Sequence, residues 1–426
     1  MKIIQHNTIA ETIKIIERPA QKNKEEKIST VKSILQNVKT NGDAALIKYT
    51  AEYDGVQLAN LAVLPHQITA AAALIPIPLQ TAIDIAYQNI YKFHEPQLTT
   101  TNSITTMKGI SCYRKNVAIQ KVGLYIPGGT APLFSTLLML GIPAQIAGCS
   151  SVVLCTPPNN NYVLHPAIAY TAQLCGITQI YLCGGAQAVA AMAYGTATIP
   201  QVHKIFGPGN QYVTIAKQLI QANGVAIDMP AGPSEVLVIA DAYAKATYVA
   251  ADLLAQAEHG ADSQVICITN TTEKATEINN EILKQLAALS RKENAAKALE
   301  NSYIIVVDTI TTAMELSNNY APEHLIIQTN NAIAIANDVV NAGSVFVGAY
   351  TPESVGDYAS GTNHVLPTSA YANAYSGVSV DSFVKKITFQ HLTEIGLQNI
   401  ANTVVTMATA EGLDAHANAV LQRLNN

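Results

Sequence analysis

The chain reads as an α/β protein: two Rossmann-like parallel-sheet units with helices on both faces, plus small helical N- and C-terminal segments. Three observations predict this. Strand-like and helix-like runs alternate along two successive stretches, as in βαβ units. The strand-like runs, such as Val152-Val-Leu-Cys155, are apolar throughout, which is the pattern of strands covered on both faces. The span Val122–His203 contains no Asp, Glu, Lys or Arg at all, as expected of a largely buried stretch. With 426 residues, the chain is long enough for two or three cores, and 49% hydrophobic against 13% charged residues excludes disorder.

Taken in order, Lys27–Tyr53 has helical apolar spacing (Val31, Ile34, Leu35, Val38) and stops before Asp54-Gly55. Pro78–His94 predicts a second helix with proline in its first turn. Residues 103–121 alternate like a hairpin or edge strands. Residues 1–118 are thus an N-terminal helical segment and hairpin, expected to pack on the second α/β unit. The first unit, 119–235, runs strand Gly123–Ile126, helix Leu133–Ala147, strand Ser151–Cys155, helix Ala167–Cys175, strand Gln179–Cys183, helix Ala186–Tyr194, strand Lys204–Phe206 and helix Gln211–Gln221. The second, 236–375, has strands Val236–Ala240, Gln264–Thr269, Tyr303–Val307, Leu325–Gln328 and Ser344–Val347. Between them lie the run Val249–Ala257, one long amphipathic helix over 272–301 and a helix Ala332–Asn341. Residues 376–426 form a smaller C-terminal unit ending in a helix, Ala415–Arg423.

The formal charge of −5 has no basic stripe, so no nucleic-acid partner is expected. The six cysteines show no C-x-x-C spacing and read as small buried hydrophobes. The N-terminus lacks a continuous apolar core for a signal peptide, which makes the cytoplasm the default compartment. Leu133–Cys155 is apolar enough to suggest a membrane span, but Gly141, Pro143 and Gly148 favour a buried helix followed by a strand, and no membrane partner is expected.

Several stretches carry candidate chemistry. Asp252, Gln256 and His259 are spaced to share one helical face, either as a hydrogen-bonded polar stripe or with Gln256 and His259 on a metal. The turns Pro127-Gly-Gly-Thr130, Gly184-Gly-Ala-Gln187 and Gly207-Pro-Gly-Asn210 each open a helix and are either ordinary tight turns or phosphate cradles. A standard dinucleotide fingerprint is absent, and Cys155-Thr-Pro-Pro158 supplies no acidic residue for a ribose. Ala321-Pro-Glu-His324 sits at an element boundary, with Ala321 biased to extended geometry, and its Glu323-His324 pair is either two surface residues or a pair of bases. A strand then leads into a long polar loop, Tyr350–His364, where Asp357 and His364 are the groups able to bind metal or substrate. Glu411 and His416 lie before and within the last helix.

Together these stretches resemble histidinol dehydrogenases, the zinc- and NAD-dependent enzymes of the last two steps of histidine synthesis. The resemblance rests on Val122-Gly-Leu-Tyr-Ile-Pro-Gly-Gly129, Phe206-Gly-Pro-Gly-Asn210, Ile227-Asp-Met-Pro-Ala-Gly-Pro-Ser-Glu235, Gln256-Ala-Glu-His-Gly-Ala-Asp-Ser263, Ala321-Pro-Glu-His-Leu325 and Gly356–Pro367, in order along nearly the whole chain. It implies zinc ligands at Gln256, His259, Asp357 and His416 and a base pair at Glu323 and His324. It implies substrate contacts at Ser234, His364 and Glu411 beside the zinc ligands and His324, and NAD contacts at Tyr125, Gln187 and Asn210. It also implies one zinc per subunit, L-histidinol as substrate, two NAD consumed per substrate, and a homodimer in which the C-terminal unit reaches the partner's site. The alternatives are a same-fold dehydrogenase of another small alcohol, which should lose the imidazole- and amine-reading groups, and a zinc hydrolase with Glu323 as base.

Overall fold

The computed structural model describes residues 1–19, 24–99, 102–128, 132–159, 164–230 and 232–424. Strand β1 (Lys2–Gln5) and helix α1 (Ile9–Ile15) come first. Helices α2 (Lys24–Asn41), α3 (Asp43–Tyr53), α4 (Pro65–Ala72) and α5 (Ile77–His94) follow, then a hairpin, β2 (Ile104–Met107) and β3 (Ile110–Ala118). The first α/β unit is β4 (Lys121–Tyr125), α6 (Phe134–Ala147), β5 (Ser151–Thr156), α7 (Pro166–Leu174), β6 (Gln179–Leu182), α8 (Gly185–Tyr194), β7 (Lys204–Phe206), α9 (Gln211–Gln221) and β8 (Ala226–Ile227). The second is β9 (Glu235–Ala240), α10 (Ala246–Ala257), β10 (Gln264–Thr269), α11 (Thr272–Leu286), α12 (Lys292–Glu300), β11 (Tyr303–Val306), α13 (Ile310–Tyr320), β12 (His324–Gln328), α14 (Ala332–Ile335), β13 (Ser344–Val347) and α15 (Glu353–Tyr358). The chain closes with β14 (Val384–Leu392), α16 (Glu394–Ala410) and α17 (Asp414–Leu421).

Both large sheets are parallel, in the orders β6-β5-β4-β7-β8 and β1-β11-β10-β9-β12-β13. Each winds outward in both directions from its first long strand, β4 or β9, so the strand order reverses beside β4/β7 and beside β9/β12. The predicted fold class is therefore the observed one. Each sheet is sealed by apolar clusters on its two faces. Helix α6 and strand β5 account for the apolar span Leu133–Cys155. Among the described residues no single helix is long and apolar enough to cross a membrane.

The N-terminal segment does not pack as expected. Only β1 and α1 join the second unit, by pairing with β11 and packing on α13. Helices α2 and α3 cover one face of the first sheet, against α8 and α9, while α4 and α5 cover the other, against α6 and α7. The reason is the stripe Val31, Ile34, Leu35 and Val38, whose partners are the small residues Ala186, Ala188 and Val189 of α8. The hairpin also belongs elsewhere: β3 pairs antiparallel with β14 from Val384↔Ala118 to Leu392↔Ile110, a small third sheet built from both ends of the chain.

Three further expectations need correction. The helix over 27–53 is two helices, because Gly42 adopts φ 53. The amphipathic run 272–301 is likewise broken between α11 and α12. The helix Ala332–Asn341 shrinks to one turn of α-helix and a 3-10 turn, Ala336–Asp338.

Candidate active site

Tyr125 ends β4, Gln187 and Asn210 follow β6 and β7, and all three line one cleft of about 800 Å³ at the carboxyl edge of the first sheet. The buried Tyr125 hydroxyl accepts a hydrogen bond from the Gly185 N–H at 3.1 Å, tying β4 to the start of α8. Asn210 caps α9: its side-chain oxygen accepts from the N–H groups of Tyr212 and Val213 at 3.0 and 3.1 Å. The turn before it must be glycine. Gly207 has φ 126, and a Cβ there would stand 2.1 Å from the Tyr125 carbonyl oxygen. Its N–H donates to Asp228 at 2.8 Å and its carbonyl accepts from Lys217 at 2.8 Å, while Lys217 and Asp228 form a buried ion pair. Gly128 and Gly184 press on Pro157, where a Cβ would meet the ring at 2.9 and 2.6 Å. Gly129 and Thr130 of the first glycine turn lie outside the described residues.

Asn210 and Tyr212 also line a smaller pocket of about 410 Å³, together with Ser234 and His259. The two spaces therefore share a wall. Behind the smaller one lies a buried polar cluster at the amino edge of the second sheet, where β9 and β12 begin. His324 is the first residue of β12 and pairs in register with Val236 and Ser344. The turn that presents it is held from outside. Arg18 donates to both Glu235 carboxylate oxygens, at 2.5 and 2.8 Å, and to the carbonyls of Tyr320 and Ala321 at 2.9 and 3.4 Å. Ala321 is left-handed (φ 51), not extended as expected before proline, because α13 ends on it with its N–H still bonded to Ser317.

Glu323 and His324 are both buried. A Glu323 oxygen accepts from the Glu235 N–H at 2.8 Å and from Gln256 Nε2 at 3.3 Å. His324 lies 3.7 Å from the Glu323 carboxylate, 3.8 Å from Glu353 and 3.7 Å from Asp357. Burial pushes the Glu323 carboxyl up to about 7, against the pull of His324. Burial works against the His324 imidazolium, but Glu353, Glu323 and Asp357 overcome it and raise its pKa to about 10. Glu353 is pushed up to about 8 by burial. Asp357 stays below the ordinary value, because His324, His364 and His259 outweigh burial.

His259, Glu353 and Asp357 place one ligand atom each within 4.8 Å of one another, a geometry that can hold a metal ion. Nearby, Gln256 Oε1, Glu353 Oε2 and His324 Nε2 are buried with no hydrogen-bond partner. Three orphaned polar atoms at one place cost stability unless something answers them, and a divalent cation with its substrate would. Asp252 instead accepts a 2.6 Å hydrogen bond from Gln328, as a member of a hydrogen-bonded polar stripe would. His364 contacts the Asp357 carbonyl at 2.7 Å through Nδ1 and Thr136 of α6 at 3.0 Å through Nε2, linking the two units.

Glu411 and His416 are not brought to this cluster. Both are exposed, at the end of α16 and within α17, which pack mainly on each other and on β14. Glu353 was missed because Tyr350–His364 read as loop. In the structure it starts with helix α15, and Glu353 and Asp357 are one turn apart on it, the spacing that would have flagged the pair. No cysteine enters the site, and burial raises Cys149 to about 11 and Cys175 and Cys267 to about 12.

A family model described as histidinol dehydrogenase matches residues 16–424. The chain belongs to the histidinol dehydrogenase family. It is 54% identical to the histidinol dehydrogenase of Bacteroides thetaiotaomicron over 425 residues, covering 100% of this chain and 99% of that one. It is 52% identical to that of Vibrio cholerae over 412 residues, covering 96% and 95%. The crystal structure of histidinol dehydrogenase from Elizabethkingia anophelis superimposes with a TM-score of 0.96 at 51% identity, over 100% of this chain and 98% of that one. As a histidinol dehydrogenase, the chain is an NAD-dependent oxidoreductase of histidine biosynthesis.

Proposed function

We propose that the polar cluster is the zinc and substrate site and the adjoining cleft the NAD site. The observation that carries this reading is the meeting of Glu323-His324 with the metal-capable set His259, Glu353 and Asp357 behind a pocket that shares Asn210 with the glycine-lined cleft. Gln256, His259 and Asp357 would hold zinc from this chain. Bound zinc supplies a Lewis-acid centre for the imidazole and amine nitrogens of L-histidinol. Zinc has no redox chemistry of its own, so the two hydrides would pass to nicotinamide, one to each of two NAD that would bind in turn beside Tyr125, Gln187 and Asn210.

A cation held by His259 and Asp357 would offset the carboxylate charge that keeps the His324 proton on, and neutral His324 would then remove the alcohol proton as the first hydride leaves, giving the aldehyde. Glu323, held by the Glu235 N–H, takes a proton from the water that hydrates the aldehyde. A second base-assisted hydride transfer from the hydrate yields histidine. Ser234, in the wall of the smaller pocket, and His364, held beside Asp357 by its carbonyl and by Thr136, would contact the substrate.

Glu411 and His416 complete the site from a second copy of the chain. What supports this is their exposure on a C-terminal arm with uncovered apolar side chains: Ile387, Phe389, Ile395, Met407 and Leu413.

The reading is tested by counting NADH formed from L-histidinol before and after chelation. Two NADH per substrate, lost on metal removal and restored by zinc, is expected. A yield of one, or indifference to chelation, would overturn it.

A further inference from the structure

We propose that Asp54 accepts hydrogen bonds from the adenosine ribose hydroxyls of the bound dinucleotide and thereby selects NAD over its 2′-phosphorylated form. The proposal rests on the cleft being the NAD site.

A doubly wound unit ordinarily supplies a ribose-binding carboxylate from the end of its second strand. Here that strand is β5, and it runs out into Thr156-Pro-Pro158, with no acid. The cleft nevertheless contains one. Asp54 lines it beside Tyr53, Tyr125 and Gln187, delivered from outside the sheet by α3, which packs on α8.

Its state is that of a group with unfinished bonding. Asp54 Oδ2 is buried and has no hydrogen-bond partner. It sits at the C-cap of α3, the negative end of the helix dipole, where a carboxylate is disfavoured. Burial raises its pKa to about 6. An acid in so poor a position is a liability for folding alone. A hydroxyl donor entering the cleft would meet the carboxylate through its accessible oxygen, Oδ1, and partner a group whose side chain has no hydrogen bond among the described residues.

The cleft's other lining residues point the same way. Among those described there is no lysine or arginine. A 2′-phosphate would therefore meet an unpaired carboxylate and, among the described lining residues, no lysine or arginine, whereas free hydroxyls would meet an acceptor. The two dinucleotides differ in this one group, so the carboxylate acts on their ratio as well as on NAD affinity.

The test is titration calorimetry of the zinc-loaded protein with NAD and with NADP, for the wild type, Asp54→Asn, Asp54→Ser and Gln187→Ala. The asparagine variant keeps the shape and removes the charge, and the serine variant with a circular-dichroism spectrum guards against a folding defect. Both Asp54 variants are expected to weaken NAD about ten-fold and to narrow the NAD-to-NADP ratio by at least as much. Gln187→Ala should weaken both dinucleotides together. If Gln187→Ala weakens NAD but Asp54 can be replaced without change in affinity or ratio, the proposal fails and the cleft assignment stands. A fall in NAD affinity with an unchanged ratio also overturns the selection. If neither position affects NAD, the cleft assignment itself is wrong.

Discussion

Glu353 doubles the negative charge that a cation between His259 and Asp357 would meet. Zinc held by one carboxylate and three neutral groups keeps a net charge near +1, whereas a second carboxylate would cancel it. The buried Glu353 also faces His324 Nδ1, so it either joins the metal or holds the base. Zinc content by atomic absorption, read beside turnover, separates these roles. His259→Ala should lower zinc affinity roughly 100-fold or more, and Glu353→Gln roughly ten-fold. His324→Ala should keep its zinc and lose about 10³ in turnover. Equal zinc content in the His259 and His324 variants would contradict the split of roles. A second residue-scale prediction concerns pH. Burial raises Asp252 to about 6 from the usual 3.8, so the folded state holds its proton more tightly than the unfolded state. That stability is present below about pH 4 and is lost as pH rises through 6, up to about 3 kcal/mol. Asp252→Asn can still accept from Gln328, so the chelated variant should melt higher than wild type at about pH 7.5 and nearly equal to it below about pH 3.5. A constant difference across that range would mean the carboxyl titrates normally.

At the level of elements, the turn between β7 and α9 is the tightest built part of the cleft. Gly207→Ala would drive a methyl into the Tyr125 carbonyl and force a non-glycine residue to φ 126. The expected cost is at least about 2 kcal/mol, seen as a lowered melting temperature, together with weaker NAD binding through displacement of Asn210. A neutral substitution would show that the turn can shift freely. The two windings were legible because their signal is local: apolar runs of strand length separated by turns, with no charge from Val122 to His203. What the helices of the first hundred residues would cover was not legible. An amphipathic stripe such as Val31–Val38 reveals that a face is buried but not against which sheet, and small alanines on α8 decided it. In the site, the residues proposed to hold metal and to act as bases were singled out through long motifs, while Asp54, Arg18 and Thr136 escaped because each acts from an element remote in sequence. A contact across 60 or 228 positions, as between Tyr125 and Gly185 or Thr136 and His364, leaves no periodicity to find.

The whole molecule is organised by the opposition of two edges. The first sheet presents its carboxyl edge, where strand order reverses beside β4, and the second presents its amino edge, where β9 and β12 begin. Asn210 stands in the wall between the two pockets. The third sheet and its helices stand apart from both, with β14 exposed along most of its length and Tyr113 stacked on Phe389 at 5.0 Å. An uncovered ribbon of this kind invites association. If a second copy covers it and supplies Glu411 and His416, each site takes residues from two chains, and complementation follows by arithmetic. In a heterodimer of His259→Ala and His416→Ala chains, one site carries both substitutions and the other carries neither. Each homodimer should be nearly inactive, whereas the purified heterodimer should hold about half the wild-type zinc and turnover. If each chain used its own His416, both sites of the heterodimer would carry one defect, and mixing would restore nothing.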